Sequence, residues 1–372
     1  MKFIVASSQL NKCLSMIGGI INPNSTHNQM LENYLFELDN NKLKITGTDL
    51  ETIVTSSLEV ESDSVDEICI PSRILQDIIK TFPDQPLTFK VEENNLVEII
   101  SDEGNFSLGY LSAEDYPALP IIEDPIHASI NADILKEGLS KTVFATGTDD
   151  HRPVMSGVYF EWTQEKLNFV ATDAHKLVVY SREDLQVPQD IKFILTRKPL
   201  QLIKNIFDSN EEISMEVDHK HAIFKGEKTT LITRHIDGKY PNYSAVIPTK
   251  NPYLLTINRS MFLSALRRVA IFANKSSSLV RLNISSSQLI ISAEDQDFNN
   301  KAKERVPCDY SGEDMNIGFN ARFLSEVLSN LDSEEVTVAL SDPARAGIVK
   351  PIDGLAEGED ILMLVMPLML SV

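Results

Sequence analysis

The segment VATDAHKLVVY, residues 170–180, concentrates side chains that could do acid–base or metal chemistry. Asp173, His175 and Lys176 lie within four residues of one another, between apolar neighbours. A carboxylate beside an imidazole can orient a general base, and both groups can bind a divalent metal. A hydrolase that uses Asp173 and His175 is therefore one hypothesis for this chain.

The rest of the sequence offers little to complete such a site. It contains no G-x-S-x-G nucleophile elbow and no HExxH or CxxC spacing. Three cysteines far apart in the chain indicate neither a disulfide framework nor a zinc site, and we expect each to be a small buried side chain: Cys13, Cys69 and Cys308. We therefore expect no catalytic residues, no metal and no cofactor.

The same segment recurs in the chain without its histidine. KLKITGTDLETIVTSSLEV begins at Lys42, KLNFVATDAHKLVVYSRED begins 124 residues later, and QLIISAEDQDFNNKAKERV follows after another 122. Thr48 and Asp49 align with Thr172 and Asp173, so the aspartate belongs to a repeated turn. His175 and Lys176 are additions to the second copy.

Further repeats divide the chain into thirds. PSRILQDIIK, LTRKPLQLIK and FNARFLSEVL are spaced by 124 residues, which is one third of 372. This spacing predicts three domains, with residues 1–124, 125–248 and 249–372.

The order β-α-β-β-β occurs twice in each third. This pattern predicts an α+β fold with six helices and about 24 strands. The expected helices span about 8–18, 72–80, 132–145, 196–204, 259–274 and 320–331. Ser7, Asn131 and Asn258 are the expected N-caps, because short polar side chains can accept from free N–H groups of a first turn.

Charge is distributed unevenly along the chain. The net charge of −20 alone argues against nucleic acid, which is itself a polyanion. The six helical windows together carry +8, however, so the remainder carries −28. If the helices share a surface, that surface is basic on an otherwise acidic protein.

Nothing in the sequence predicts a membrane association. No run approaches 18 consecutive apolar residues, and the N-terminal MKFIVASSQLNKCLS lacks the apolar region of a signal peptide. We expect a cytoplasmic protein.

Taken in order, several motifs resemble the β sliding clamp of bacterial DNA polymerase III. They are the MKF start, TGTDLE at Thr46, IPSR at Ile70, FSL at Phe106, ATDAHKL at Ala171, DGKYPNY at Asp237, IGFN at Ile317 and VMPL at Val365. The resemblance implies a homodimeric ring of three clamp domains per chain that encircles double-stranded DNA without sequence specificity. It also implies a processivity factor that is not an enzyme and that binds polymerase, clamp loader and repair proteins, with the nucleoid as its site during replication.

The resemblance also implies roles for particular residues. A pocket for short peptide motifs of partner proteins would comprise Arg152, Val154, Met155, Thr172, Ala174, His175, Lys176, Leu177, Pro241, Ala245, Val246, Phe323, Leu364, Met366, Pro367 and Leu368. Residues facing DNA would be Arg73, Arg197, Lys198, Arg267 and Arg268, and the dimer interface would join Phe106 and Leu108 to Ile271 and Phe272. The chain departs from residues common in the family at Val154, Ala174, Lys176 and Leu368.

Two other interpretations stay open at this point. One is the hydrolase built on Asp173 and His175. The other is an acidic repeat scaffold that never contacts DNA.

Overall fold

The first third folds in the predicted doubled order. The computed structural model describes residues 1–21, 28–92 and 94–370. The elements of this third are β1 (Lys2–Ala6), α1 (Ser7–Gly18), β2 (Asn33–Asp39), β3 (Lys42–Thr48), β4 (Thr52–Glu59), β5 (Val65–Pro71), α2 (Ser72–Ile79), β6 (Pro86–Glu92), β7 (Leu96–Ile100), β8 (Asn105–Gly109) and β9 (Leu111–Ser112).

The other two thirds repeat this order. The second contains β10 (Ile126–Asn131), α3 (Ala132–Thr142), β11 (Gly157–Trp162), β12 (Leu167–Thr172), β13 (Lys176–Arg182), β14 (Ile191–Thr196), α4 (Arg197–Ile206), β15 (Glu212–Val217), β16 (His221–Lys225) and β17 (Thr229–Arg234). The third contains β18 (Tyr253–Asn258), α5 (Arg259–Ala270), β19 (Leu279–Ser285), β20 (Gln288–Asp295), β21 (Asn300–Pro307), β22 (Asp309–Ser311), β23 (Met315–Asn320), α6 (Ala321–Ser329), β24 (Glu335–Leu340), β25 (Gly347–Pro351), β26 (Glu359–Val365) and β27 (Pro367–Leu368).

The described part of the chain thus has the six expected helices and 27 strands. The three strands beyond the expected 24 are short ones of two or three residues, β9, β22 and β27. None of the described helices is long and apolar enough to cross a membrane.

Contacts divide the chain into two units that do not follow the thirds. Unit 1 is Met1–Lys136 with Lys198–His235, and unit 2 is Glu137–Arg197 with Ile236–Val372. Unit 1 holds a nine-stranded sheet, β10-β15-β16-β17-β4-β3-β2-β5-β9, and unit 2 holds another, β14-β11-β12-β13-β26-β25-β24-β18-β22. Each of these sheets combines strands of two thirds, because β4 pairs with β17 and β13 pairs with β26.

Each unit also has a smaller antiparallel sheet. In unit 1 this sheet is β1-β6-β7-β8, and Phe3 of β1 stacks on Phe89 of β6 with ring centroids 4.8 Å apart. In unit 2 it is β21-β20-β19-β23-β27. The helices cover the sheets with their apolar faces, as α1 does with Leu10, Leu14 and Ile17, all fully buried.

Two of the three predicted N-caps are confirmed. The Asn258 side chain accepts from the Met261 amide at 3.0 Å, and that of Asn131 accepts from the Asp133 amide at 2.9 Å. The prediction for Ser7 was wrong. Ser7 is the first residue of α1, and its hydroxyl instead donates to the Pro83 carbonyl at 2.7 Å and accepts from the Gln85 amide.

Other expectations were partly wrong. Helix α3 ends at Thr142 and continues as a 3₁₀ turn, Val143–Ala145, while α5 ends at Ala270 instead of 274. All three cysteines are free, and Cys13 and Cys69 are buried as expected. Cys308 is only half-buried, because it lies in the connection between β21 and β22.

Candidate functional site

The turn between β12 and β13, residues 172–176, is held by its own side chains; we call it the second turn. The Thr172 hydroxyl donates to the Lys176 carbonyl at 2.7 Å and accepts from the Ala174 amide. Oδ1 of Asp173 accepts from the amides of His175 and Lys176 at 2.9 and 2.8 Å. Ala174 has a φ of +74°, which the side-chain bonds around it stabilise.

The turn between β3 and β4, residues 48–52, has the same network; we call it the first turn. The Thr48 hydroxyl donates to the Thr52 carbonyl at 3.0 Å and accepts from the Leu50 amide. Oδ1 of Asp49 accepts from the amides of Glu51 and Thr52. Leu50 has a φ of +78°. The prediction that the aspartate belongs to a repeated scaffold is therefore confirmed.

The lysine of the second turn is buried and multiply paired. Lys176 is 4% exposed, and its Nζ lies 2.6 Å from Asp173 Oδ2 and 3.0 Å from Glu326 on α6. The same Nζ lies 4.7 Å from the ring centroid of Phe323. Lys176 therefore joins the second turn to α6 through two charges and an aromatic face.

The geometry around His175 does not resemble a catalytic site. Its imidazole is exposed and stacks on Phe323, with ring centroids 5.3 Å apart and planes 13° from parallel. Both carboxylate oxygens of Asp173 are already bound, to amides of the turn and to Lys176. Within residues 1–21, 28–92 and 94–370 there is no group of three or more His, Cys, Asp or Glu that could hold a metal ion.

An apolar cluster lies beside the second turn, and a cross-strand pair forms part of it. Leu177 of β13 pairs with Leu364 of β26, and each is 2% exposed. Both belong to one apolar cluster that includes Tyr240, with Val154 packed against it and partly buried. The Tyr240 hydroxyl donates to the Val170 carbonyl at 3.4 Å, which fixes the ring within the cluster. We call this cluster and the segments beside it the Leu177 cleft, because the pocket predicted from the sequence would lie here.

The C-terminal segment lies beside the second turn. The Met366 amide donates to the His175 carbonyl at 2.8 Å, and the Met366 side chain is 40% exposed. Directly afterwards, Pro367 and Leu368 pair with Phe319 and Gly318 of β23. The chain thus leaves one sheet and joins the other beside the second turn.

The remaining predicted pocket residues flank this arrangement. Arg152 is exposed and pairs with Asp149 at 2.9 Å, while the Met155 carbonyl accepts from the Gly147 amide. Pro241 is half-buried, and Ala245 and the 57%-exposed Val246 lie on the 3₁₀ helix Tyr243–Val246, which packs on the apolar cluster through Tyr243.

Sequence reasoning missed two contributors. Glu326 completes the charge pairing of Lys176, and Tyr240 belongs to the apolar cluster. Glu326 follows Phe323 by three residues on α6, so helical spacing puts both on one face and could have identified it.

The predicted DNA-facing residues differ in the contacts that their side chains already make within the chain. Arg73 is exposed, and its charge acts on the Asp77 carboxylate one turn further along α2. Lys198 Nζ lies 2.6 Å from Asp49 Oδ2 and 3.0 Å from the Ile20 carbonyl. The other three are paired as follows: Arg197 with Thr146, Arg267 with Ser329, and Arg268 with Glu304.

The predicted interface residues lie in two regions, on the edge strand β8 and just after α5. Strand β8 is an edge of the four-stranded sheet, and β21 is an edge of the five-stranded sheet. Ile271 and Phe272, just after α5, are 79% and 39% exposed. Leu108 is only 8% exposed, so little of it is available to a partner, and Phe106 contacts Phe82 edge-on at 5.5 Å.

Comparison with known proteins covers almost the whole chain. Residues 1–120 match the N-terminal domain of the DNA polymerase III beta subunit, residues 129–242 its central domain and residues 244–368 its C-terminal domain. The chain is 30% identical to the beta sliding clamp of Pseudomonas aeruginosa and 28% identical to that of Synechococcus elongatus, covering 100% of both chains in each case. The crystal structure of the Pseudomonas aeruginosa DNA polymerase III subunit beta superimposes with a TM-score of 0.94, at 28% identity and with 100% of both chains covered. The chain belongs to the DNA polymerase III beta subunit family, the beta sliding clamps.

Proposed function

We propose that the chain is a processivity factor that encircles duplex DNA as a homodimeric ring and tethers DNA polymerase to it. The observation that carries this proposal is the match of all three beta-subunit domains, in order, over residues 1–368. The chain acts without a catalytic site, metal or cofactor of its own. Its place is the cytoplasm, on the nucleoid during replication.

The three domains of each protomer are residues 1–124, 125–248 and 249–372. The sheets support a threefold repeat of the same doubled order, with strand pairs β4·β17 and β13·β26 formed at equivalent positions. Each pair joins one third to the next, which explains why contacts alone group the chain into two units.

The ring closes head to tail, with β8 of one protomer beside β21 of its partner. Both strands are sheet edges with free backbone groups, which favour pairing with another strand. Phe106 on β8 faces Ile271 and Phe272 across this interface, while Leu108 is almost fully buried within its own protomer. A closed ring covers both edges and the exposed apolar surface after α5.

The interface has a direct test. Ile271→Asp with Phe272→Asp should give monomers in light scattering, because two charges replace apolar contacts. Val65→Asp is a matched control, since Val65 is 71% exposed but lies on another strand. A double variant that remains fully dimeric would contradict the interface.

The helices line the hole, and their basic residues contact phosphates rather than bases. Phosphate contacts position a protein without reading sequence, which suits a ring that must slide. Arg73, Arg197, Lys198, Arg267 and Arg268 supply these contacts. Arg73 is exposed to solvent, whereas Arg197 also donates to Thr146.

The Leu177 cleft captures short motifs of partner proteins, including the replicative polymerase and the clamp loader. Its apolar cluster, the exposed Met366 and the few polar groups at its edge support this role. The hydrolase interpretation has no such support, because Asp173 and His175 are engaged in structural contacts.

Retention on circular DNA tests the whole proposal. The protein, loaded onto nicked plasmid by a clamp loader, should stay bound through gel filtration and be lost when the plasmid is linearised. Arg73→Ala should weaken association equally on unrelated sequences and lower the salt slope by about one unit. Equal retention on circular and linear DNA would refute encirclement.

A further inference from the structure

The first residue of α4, Arg197, is bound to a segment of the chain that leads to the Leu177 cleft. Its Nε donates to the hydroxyl of Thr146, and its Nη2 donates to the carbonyl of the same residue. Arg197 is half-buried and Thr146 is 3% exposed, so these hydrogen bonds are largely shielded from water. A charged donor in such surroundings forms stronger hydrogen bonds than a neutral one, so the two residues are held firmly together.

Thr146 is the first residue of the connection between the 3₁₀ turn Val143–Ala145 and β11, residues 146–156, which we call the 146–156 segment. The Thr146 hydroxyl donates to the Val143 carbonyl at 2.9 Å while it accepts from Arg197. Both roles of the hydroxyl are therefore used, which fixes the start of the segment in one orientation.

The 146–156 segment lies against the second turn and the apolar cluster of the cleft. The Gly147 amide donates to the Met155 carbonyl at 2.7 Å, which joins the two ends of the segment. A Cβ atom at Gly147 would lie 3.7 Å from the Cα of Asp173, so the segment approaches the second turn closely. Val154 packs on the apolar cluster. An anchor at the start of the segment therefore acts on residues of the cleft.

The guanidinium group of Arg197 has donors left for a second ligand. Arginine carries five N–H groups in a planar fork, and the contacts to Thr146 use one on Nε and one on Nη2. The edge formed by Nη1 and the second N–H of Nη2 remains, and such an edge matches two oxygens of a phosphate. Arg197 can therefore hold Thr146 and a phosphate at the same time.

The other two cations of α4 have different surroundings. Lys198 binds Asp49 and the Ile20 carbonyl, and Lys204 is exposed. Within the part of the chain that the structure describes, Arg197 is thus the one cation of this helix that is bonded to the 146–156 segment.

We propose that Arg197 is a positioning residue for the Leu177 cleft and that it links the cleft to phosphates bound at α4. A phosphate on the remaining edge of the guanidinium restricts the side chain to the rotamer that holds Thr146, and an ordered segment costs a peptide less entropy on binding. By linkage, the peptide raises the affinity for DNA by the same factor. This inference deepens the proposed function and rests on it, because both ligands come from there.

Calorimetric titration of a Gln-x-x-Leu-x-Phe peptide against the full-length protein, without DNA, tests the positioning role. Thr146→Val keeps the shape of the side chain but removes the hydroxyl that Arg197 binds, so it should weaken the peptide about threefold. Arg197→Ala removes both hydrogen bonds and should weaken it about tenfold. Thr146→Ser restores a hydroxyl and should recover most of the affinity. Lys204→Ala, which removes another cation of the same helix, is the matched control and should not change it.

The same titration in the presence of a saturating short DNA duplex tests the link. In wild type the duplex should strengthen peptide binding about fivefold, the lower end of typical couplings. In Thr146→Val this gain should fall below about twofold, although no DNA-facing side chain has changed, whereas Thr146→Ser should retain it. A general loss of stability would not remove a gain that depends on DNA, so this measurement separates positioning from a merely structural role.

The outcomes separate this inference from the proposed function. Equal peptide affinity of wild type and Thr146→Val would overturn the positioning role, and a wild type that gains nothing from the duplex would overturn the link. A wild type that binds no peptide would contradict the proposed function instead. Hydrogen exchange of the Gly147 amide still decides in that case: faster exchange in Arg197→Ala than in Lys204→Ala supports the anchor, and equal exchange refutes it.

Discussion

The first and second turns share a backbone but differ in the lysine that each aspartate binds. Asp49 pairs with Lys198, which comes from α4 and has a side chain 46% exposed. Asp173 pairs with Lys176 of its own turn, whose side chain is 5% exposed and also reaches Glu326. The aspartate of the first turn is thus paired with a lysine of another element, whereas the aspartate of the second turn is paired with a buried lysine of the same turn.

This difference shows how a repeated unit acquires a specific surface. The threonine and aspartate bonds are retained in both copies because they build the turn. The hydrogen bonds of the turn do not require the side chains of His175 and Lys176. Both side chains instead contact Phe323. The addition fixes α6 beside the second turn and so shapes the Leu177 cleft.

The largest effect should come from removing the shared aspartate. Asp173→Ala leaves a buried lysine with one carboxylate fewer and two amides without an acceptor, and it should cost about 3 kcal/mol of unfolding free energy. Asp49→Ala removes the same amide acceptor but frees an exposed lysine, so about 1–2 kcal/mol is expected. Hydrogen exchange of β12–β13 and of β3–β4 measures the two losses separately.

A conservative variant controls this comparison. Asp173→Asn keeps an oxygen for the amides but loses the charge opposite Lys176. Its free energy of unfolding should therefore lie between those of wild type and Asp173→Ala. Equal losses for Asp173→Ala and Asp49→Ala would mean that the buried lysine adds nothing to the second turn.

The next largest effect concerns peptide binding at the Leu177 cleft. Deleting residues 366–372 removes Met366 and the strand β27 that follows it. Affinity for a Gln-x-x-Leu-x-Phe peptide should fall at least about 100-fold, because apolar side chains of the peptide lose one wall. Calorimetric titration measures this, and the dimer should persist because its interface lies elsewhere.

Met369→Ser is the matched control for the deletion. Met369 is 80% exposed and lies beyond β27, so its replacement should leave the peptide affinity unchanged. Tight binding by the truncated protein would show that the tail does not form the cleft.

A smaller effect is expected from His175→Ala. His175 forms part of the edge by stacking on Phe323, and its loss should weaken the peptide less than about fivefold. Glu51→Ala, the equivalent change in the first turn, should not alter this affinity at all. If His175→Ala abolished clamp function without changing the peptide affinity, a catalytic role would have to be reconsidered.

Much of the fold was predictable because its pattern is local and repeated. The doubled β-α-β-β-β order was predicted from the repeats, and the expected helix over about 8–18 corresponds to α1 (Ser7–Gly18). The errors arose where tertiary contacts override a local preference. Serine is a common N-cap residue, yet in the folded protein the Ser7 hydroxyl donates to the Pro83 carbonyl and accepts from the Gln85 amide.

The candidate site was less predictable from the residues alone. The repeat showed that Asp173 is structural, but nothing local to KLVVY indicates that Lys176 is buried against α6, some 150 residues later. Likewise, only strand pairing reveals that Leu364 lies opposite Leu177, or Ile232 opposite Ile53. The resemblance indicated the first of these long-range pairings, and the structure revealed the second.

The smallest expected effect is a pH dependence specific to the first turn's surroundings. Burial lowers the pKa of His221, the first residue of β16; Asp218 opposes this shift, while His235 and Arg234 add to it. The unfolded chain therefore binds more protons than the folded one just below the ordinary histidine pKa of about 6.5. Stability of unit 1 should accordingly be complete above that value and decline as the pH falls through it towards the lowered pKa.

Hydrogen exchange of β16 between pH 7.5 and 5.5, a range that avoids most carboxylates, should show this decline in wild type and a flatter profile in His221→Gln. His151→Gln, an exposed position in unit 2, should behave as wild type, and parallel profiles for all three proteins would show that His221 is not the group responsible.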